Sequence, residues 1–248
     1  MRFVLFSLAL VVGASSARAA IHREALWVVL QSCLVAQNTA GIPFPCLAVN
    51  LASNSAPGYA VLRAPFSATR VLVVPTERVE GLESPILQRP EAGAYWRAAL
   101  GARHFVTDAL GGRIPLSEVA LAVNSSVGRS QDQLHIHLDC LKPSVRSALQ
   151  QHASVFTARW TPLKVPLEGA RYFGLKVGAS QAEGFNPFAS LASLPGPRNL
   201  HATSLAAVSA PANDPRGGFY ILAYRGRRSP VEKLLDPTCS EASRSAAR

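Results

Sequence analysis

Polar and apolar side chains alternate without a break along residues 133–140, QLHIHLDC. Side chains of a β-strand point alternately to its two faces, so this period of two predicts a strand with one polar and one apolar face. Packing does not require two imidazoles and a carboxylate in a row, and we therefore expect the polar face to lie outside and to carry chemistry. That face holds Gln133, His135, His137 and Asp139.

Other segments give signals of the same kind. Short runs rich in β-branched residues predict strands at residues 59–63, 70–74, 119–123, 171–177, 205–210 and 219–224. Apolar residues recur every three or four positions over residues 91–110, which predicts an amphipathic helix that ends at Gly111 and Gly112. A further helix is expected at residues 22–36, and one or two helical turns at residues 231–235.

The middle of the chain follows the order strand, strand, helix, strand, loop, strand, and the expected fold class is α+β. Antiparallel pairing of the strands at residues 119–123 and 133–140 would place their connecting loop, NSSVGRSQ, beside the two histidines. The strands at residues 205–210 and 219–224 are expected to form a hairpin across PANDPRGG. The C-terminal half could repeat the layout of strands and helix, but no repeated motif marks such a copy.

Composition narrows the class of protein. The chain has 248 residues, of which 48% are hydrophobic and 16% charged, so it can bury a substantial core and is not a disordered protein. Its net charge of +10 favours an anionic partner, such as a phospholipid surface or a phosphorylated substrate. Nucleic acid ranks last among these partners, because the basic residues are scattered and neither zinc-finger spacing nor an aromatic RNA-binding pattern occurs.

The N-terminal segment has the form of a secretory signal. Arg2 precedes an apolar run at residues 3–14, and a small-residue exit, ARA, follows at residues 17–19. We expect cleavage after Ala19. The alternative is an uncleaved anchor, although the apolar run is shorter than the roughly 20 residues that a spanning helix needs.

The four cysteines lie in the expected mature chain. In an oxidising compartment an even number predicts two disulfides, with three possible connectivities. Cys33 and Cys46 are the first pair we expect, because the turn-rich stretch between them lets the helix at residues 22–36 fold back. That pair leaves Cys140 to bond Cys239 and to pin the C-terminal region to the core. The alternative is that Cys140 is a buried free thiol.

Two interpretations of the histidines do not involve a nucleophile. His135, His137 and Asp139 could supply nitrogen and oxygen ligands to zinc. In metallo-β-lactamase-like enzymes another histidine follows the aspartate directly, whereas Cys140 follows it here, so we do not favour a metal. The histidines could also merely decorate a solvated strand.

In the third interpretation one imidazole attacks phosphorus. A neutral imidazole can do so when its far nitrogen keeps a proton and flanking donors neutralise the phosphate oxygens. The loop at residues 124–132 supplies amide, hydroxyl and guanidinium donors, among them Asn124, Arg129 and Gln131. The pattern therefore favours a reaction at phosphorus.

These residues resemble the histidine-triad (HIT-like) superfamily. Residues 135–141, HIHLDCL, are similar to its His-φ-His-φ-His-φ-φ motif, with Asp139 in place of the third histidine. Superfamily members carry an Asn eleven residues and a Gln four residues before the first histidine, and Asn124 and Gln131 stand at those positions. The resemblance covers about residues 59–142 and implies a HIT-like antiparallel sheet.

A closer resemblance is to the bacterial CDP-diacylglycerol diphosphatase family. Its motifs are present as Asn124-Ser125, Gly128-Arg129-Ser130-Gln131, His135-Ile136-His137 and Cys140. The similarity extends over most of the mature chain, to Glu83-Ser84-Pro85, Trp96, Ala102-Arg103, Arg159-Trp160 and the cysteine near the end. The loss of the third histidine is normal in this family.

The resemblance implies hydrolysis of CDP-diacylglycerol to CMP and phosphatidate, without a metal or other cofactor. His137 would attack the α-phosphorus and form a cytidylyl-histidine intermediate that water resolves. His135 would orient His137 through its backbone carbonyl and help to bind phosphate. The substrate-binding residues would be Asn124, Arg129, Gln131, Asp132 and Asp139, with Arg129 close to the pyrophosphate.

The resemblance also implies a place of action and a domain layout. We expect a signal peptide at residues 1–19, a diphosphatase domain at residues 20–240 with an α+β extension C-terminal to its core, and a disordered tail at residues 241–248. The enzyme would act on an anionic phospholipid membrane surface, at the periplasmic face of the bacterial inner membrane. Two alternatives remain: a triad-type nucleotidyl transferase or dinucleotide hydrolase with a soluble substrate, and a periplasmic lipid-binding module without chemistry.

Overall fold

The computed structural model describes residues 23–53, 56–212, 214, 216–227 and 231–240. The expected signal peptide and tail, residues 1–19 and 241–248, lie outside the described residues. The helices are α1 (Ala25–Ala40), α2 (Gly93–Ala102), α3 (His104–Ala109), α4 (Pro143–Gln151) and α5 (Pro187–Ser190). The strands are β1 (Ala48–Asn50), β2 (Tyr59–Arg63), β3 (Val71–Pro75), β4 (Val119–Val123), β5 (Ile136–Leu141), β6 (Thr161–Pro162), β7 (Phe173–Val177), β8 (Thr203–Ser209), β9 (Phe219–Arg225) and β10 (Leu235–Asp236).

These strands form one antiparallel sheet, which confirms the predicted α+β class. Their order is β1-β2-β3-β5-β4-β8-β9-β7-β6, and β10 pairs with the C-terminal end of β5. The histidine strand β5 lies between β3 and β4, as the predicted pairing of β4 with β5 requires. Strands β8 and β9 pair along their whole length, so the predicted C-terminal hairpin is also confirmed.

The two halves of the sheet repeat one strand order. The order β2-β3-β5-β4 of the first half recurs as β6-β7-β9-β8 in the second, and the halves meet where Ala122 pairs with Ala206. His137 pairs with Ala122 of β4, and Leu222 pairs with Ala206 of β8. Leu222 therefore occupies the position equivalent to His137, so the second copy of the strand layout lacks the nucleophile candidate.

The two faces of the sheet are covered differently. Helices α2 and α3 pack on the face that Ile136 and Leu138 of β5 share, where Tyr95 and Trp96 are buried. Two separate apolar clusters lie on the opposite face. One holds residues of α1 with β2 and β3, and the other holds β4, β8, β9 and the segment at residues 231–235. The histidine face of β5 runs between these clusters.

Both expected disulfides are confirmed. Cys33 of α1 bonds Cys46, and Cys140 of β5 bonds Cys239. The first bond holds α1 beside the sheet, and the second fixes the end of the described chain beside the histidine strand. Of the helices described above, none combines the length and the apolar character that crossing a membrane requires.

Local patterns located most elements, with differences at their ends. The predicted helix at residues 91–110 is divided, because α2 ends at Ala102 and α3 begins at His104. The turn at Gly111 and Gly112 follows α3, and both glycines have the positive φ that other residues rarely adopt. The predicted turn of helix at residues 231–235 is a 3₁₀ helix at Val231–Leu234, followed by β10.

The disulfide that closes the longer loop should contribute more to stability. Cys140 and Cys239 are 99 residues apart, and Cys33 and Cys46 are 13 apart. The loop-entropy relation gives about 4.7 kcal/mol for a loop of about 100 residues and about 3 kcal/mol for one of about 15. We expect a Cys140→Ala/Cys239→Ala variant to lose more free energy of unfolding in urea than a Cys33→Ala/Cys46→Ala variant. The reverse order would contradict the pinning role assigned to Cys239.

Candidate active site

His137 of β5 lies at the centre of the sheet, and His135 lies just before this strand, which begins at Ile136 and not at residue 133 as predicted. Both histidines are on a covered face. His137 is 8% exposed and His135 is 7% exposed, so the prediction that this face lies outside is wrong. Leu72 on one side of His137 belongs to the apolar cluster of α1, and Ala122 on the other side belongs to the cluster of residues 231–235. A period of two reports local amphipathicity only, and cannot reveal that distant segments cover the polar face.

Burial keeps both imidazoles neutral. Desolvation lowers the pKa of His135, and it lowers that of His137 well below the ordinary 6.5, with further lowering by His135 and the positive charge of Arg70. The two rings lie edge to face, 4.8 Å apart between centroids. His135 Nδ1 lies 2.7 Å from the carbonyl oxygen of Gln133, and because a carbonyl only accepts, this nitrogen carries the proton.

His137 differs from every other polar group on its strand. Among the described residues, neither of its ring nitrogens has a hydrogen-bond partner, so the expected bond to the backbone carbonyl of His135 is not formed. The carboxylate of Glu232 faces this ring, with its Oε1 3.5 Å from His137 Nε2. The candidate nucleophile is therefore a buried, neutral imidazole with its Nε2 facing a carboxylate.

Glu232 and Arg70 are site residues that sequence reasoning missed. Glu232 Oε1 accepts a hydrogen bond from Asn124 Nδ2, and its Oε2 accepts one from the Arg70 guanidinium at 2.9 Å. Arg70 stands two residues before Leu72 and therefore points to the same face as Leu72. Because Leu72 pairs with His137, this spacing indicates a position near the histidines, but only once the register of β3 against β5 is known. No local pattern singles out Glu232, which is 95 positions from His137 in sequence.

Asp139 contacts Arg70 and is itself buried away from solvent. Its side chain is 0% exposed, so the expected contact of Asp139 with substrate is not available in this structure. Its oxygens accept hydrogen bonds from Arg70 Nε at 3.1 Å, Thr69 Oγ1 at 3.0 Å and the Cys140 amide at 3.0 Å. Burial raises the pKa of Asp139, and these donors oppose that rise. Asp139 thus holds the guanidinium of Arg70 in place.

The loop at residues 124–132 is fastened to α1. Gln131 Oε1 accepts a hydrogen bond from the Leu26 amide at 2.7 Å, at the first turn of the helix. Asp132 binds the Arg23 guanidinium through both carboxylate oxygens, at 2.6 and 2.5 Å. The hydrogen bonds from Arg23 lower the pKa of Asp132 to about 2. Of the loop residues expected to bind substrate, Gln131 and Asp132 therefore hold the covering helix, whereas Asn124 joins the histidine cluster.

Arg129 lies inside an ion-pair network. Its guanidinium is 2.6 Å from a carboxylate oxygen of Glu83 and 3.1 Å from one of Asp132, and its side chain is 6% exposed. A Cβ added at Gly81 would lie 2.2 Å from the guanidinium, so only glycine leaves room for it. Glu83 belongs to the Glu-Ser-Pro motif, and its role in the structure is to pair with Arg129. Arg129 positions the loop, and its charge also helps to lower the pKa of His135.

The geometry does not favour the zinc interpretation. Among the described residues, the one group of three whose potential ligand atoms lie within 4.8 Å of one another is Asp139, Cys140 and Cys239. The two sulfurs of that group form a disulfide, so they are not thiolate ligands. The side chains of His135, His137 and Asp139 share a face but do not gather their donor atoms around a common point.

Comparison with known proteins gives one consistent result. Residues 21–243 match the family described as CDP-diacylglycerol pyrophosphatase. The chain is similar to the CDP-diacylglycerol pyrophosphatase of Yersinia pestis, with 35% identity over 225 residues, which cover 88% of this chain and 84% of that protein. The match spans both halves of the sheet and both disulfides. The chain therefore belongs to the CDP-diacylglycerol pyrophosphatase family.

Proposed function

We propose that this protein hydrolyses the pyrophosphate bond of CDP-diacylglycerol and releases CMP and phosphatidate. The family match over residues 21–243 supports the substrate. The observation that carries the chemistry is the environment of His137, a buried neutral imidazole whose Nε2 faces the same point as the donors of Arg70 and Asn124. This arrangement suits an attack on a phosphorus whose oxygens need neutralising.

The reaction would proceed in two displacements at one phosphorus. His137 Nε2 attacks the phosphorus that carries cytidine, the bond to the bridging oxygen breaks, and phosphatidate leaves with that electron pair. Water then attacks the cytidylyl-histidine, the P–N bond breaks, and CMP is released with His137 restored. His135 lies edge to face against His137 and helps to hold the attacking ring. The guanidinium of Arg70 and the amide of Asn124 would bind the phosphate oxygens.

Variants of the histidine strand test this proposal. We expect His137→Ala and His137→Gln to give neither turnover nor a cytidylyl adduct, because the nucleophile is gone. His135→Ala and Asn124→Ala should retain the adduct and lose about 10²–10³ in rate, the usual cost of removing a group that orients or neutralises charge. Mass spectrometry after brief exposure to CDP-diacylglycerol and assay of CMP release would measure both properties.

An exposed histidine provides the control for these variants. His104 lies on the surface of α3, and His104→Ala should keep full activity. Thermal melts should check that the variants remain folded, because both histidines are buried and their removal leaves a cavity that lowers stability. An adduct that survives in His137→Ala but disappears in His135→Ala would reverse the roles of the two residues.

The pH dependence follows from the lowered pKa of His137. Because burial lowers this pKa below 6.5, the imidazole stays neutral and nucleophilic from neutral pH down to 6.5. The acid limb of the kcat/KM profile should therefore have its apparent pKa below 6.5. In the unfolded chain the imidazole binds a proton near 6.5, so the free energy of unfolding should fall as the pH drops from 6.5 towards the lowered pKa. An acid limb above pH 7 would contradict a buried neutral nucleophile.

We also infer that the protein is exported and acts on an anionic phospholipid surface, at the periplasmic face of the inner membrane. Two disulfides favour an oxidising compartment. The outer side of α1 exposes Val28 and Val35, which lie about two turns apart on the same side of the helix. Ile42 and Phe44, just after the helix, are also exposed, and Phe44 is 73% exposed. Together with the net charge of +10, these apolar side chains suit contact with anionic lipid.

Vesicle binding tests the lipid contact. We expect Val28→Asp/Val35→Asp to bind vesicles of anionic phospholipid several-fold more weakly, because two charges enter the apolar side of α1. Activity on CDP-diacylglycerol in those vesicles should fall in parallel, while activity on the substrate in detergent should be unchanged. Leu116→Asp alters an exposed leucine before β4 and serves as the control. Unchanged sedimentation of the α1 variant with vesicles would refute this contact.

A further inference from the structure

Glu232 is held at a fixed place over the histidine strand. It belongs to the 3₁₀ turn Val231–Leu234, in which Val231 and Leu234 are buried in the apolar cluster beside Ala122. The Leu234 carbonyl accepts a hydrogen bond from the Lys142 amide at 3.0 Å, and β10 then pairs with the end of β5. The backbone of Glu232 is therefore anchored, while its side chain is 34% exposed.

The carboxylate of Glu232 occupies the place that the reacting phosphate needs. Its contacts are the Arg70 guanidinium, the Asn124 amide and His137 Nε2. Reacting atoms lie roughly 3–3.5 Å apart before a bond forms, and Oε1 is 3.5 Å from Nε2. A phosphorus poised for attack would thus stand about where Oε1 now lies. The phosphate oxygens would take over the donors of Arg70 and Asn124, and the carboxylate would move outward to the far side of the phosphorus.

We propose that Glu232 is a catalytic residue that accepts the proton of the attacking water in the second displacement. This inference rests on the proposed cytidylyl-histidine. Water enters opposite the P–N bond, on the side to which the carboxylate has moved. As the water oxygen bonds to phosphorus, one of its protons passes to Glu232, the P–N bond breaks, and its electron pair returns to His137. The proton then leaves Glu232 for solvent, so the cycle is balanced.

The other ionisable groups around the site are less suited to this step. His137 cannot serve as base, because its Nε2 is bonded to phosphorus in the intermediate. Asp139 is wholly buried behind Arg70, and Asp132 binds Arg23 and Arg129. Glu83 is paired with Arg129. Within the part of the chain that the structure describes, Glu232 is the carboxylate that reaches the Nε2 side of His137.

Glu232→Gln separates the two displacements in the full-length protein. The amide keeps the shape of the side chain but cannot accept the proton, so phosphatidate should appear in a rapid burst equal to the enzyme concentration. CMP release should then slow by about 10²–10⁴, the usual contribution of a general base. The cytidylyl adduct, which is transient in the wild type, should become the main species in mass spectra. Lys233→Gln, an exposed change on the same turn, should behave as the wild type.

Chemical rescue distinguishes proton transfer from a structural role. In Glu232→Ala, formate can enter the vacated space and accept the proton, so added formate should restore CMP release from the adduct. Formate should have no such effect on Glu232→Gln, whose side chain fills the space. If Glu232→Gln slows phosphatidate and CMP release equally, without accumulation of the adduct and without rescue in Glu232→Ala, the inference is wrong. The wild type tests the proposed function separately, since failure to form any adduct from CDP-diacylglycerol would remove the intermediate itself.

Discussion

The cost of burying the polar face of β5 and of residues 133–135 just before it governs the structure around them. A buried polar group without a partner costs about 1–3 kcal/mol, so each group on this face needs a partner in the fold. The Gln133 amide donates to the carbonyls of Pro75 and Glu77, the His135 ring bonds the Gln133 carbonyl, and Asp139 accepts three hydrogen bonds. His137 alone on this face is left without a hydrogen bond among the described residues. The cost is thus concentrated on His137, the group that we propose as the nucleophile and whose lone pair would have to stay free for attack.

The repeated strand layout explains how the chain covers this face without a second catalytic centre. At the equivalent of His137 the second half has Leu222, and at the equivalent of His135 it has Tyr220, which stacks on Phe156 with ring centroids 3.8 Å apart. The second half therefore packs as a core. The segment that follows β9 returns to the first half, where β10 extends the edge of β5 and Glu232 reaches the histidines. One half supplies His137, the proposed nucleophile, and the other supplies the carboxylate of Glu232 that faces it.

Sequence reasoning succeeded where a property is local. Alternation and β-branched runs located β2, β4, β5 and the hairpin of β8 with β9, and the spacing of Cys33 and Cys46 allowed the first disulfide to be chosen. Exposure of the histidine face was wrong because coverage depends on residues about 100 positions away. Glu232 and Arg70 escaped notice for the same reason, since one lies in a short 3₁₀ turn and the other just outside a strand end. The loop residues Arg129, Gln131 and Asp132 were found from their motif. Their pairing with Glu83, Leu26 of α1 and Arg23 just before α1 could not be predicted from local sequence.

The electrostatics of the site meet two opposing demands. A nucleophilic imidazole must be neutral, which a nearby cation favours, whereas an empty pocket lined by a desolvated cation is unstable. Burial does most to lower the pKa of His137, and the charge of Arg70 adds to that lowering. The charge of Arg70 is itself balanced by Asp139 on one side and Glu232 on the other. Asp139 is wholly buried and fixed, whereas the side chain of Glu232 is a third exposed. An incoming phosphate can therefore replace the carboxylate of Glu232 while that of Asp139 keeps the guanidinium aimed, so the site exchanges one anion for another without leaving Arg70 unpaired.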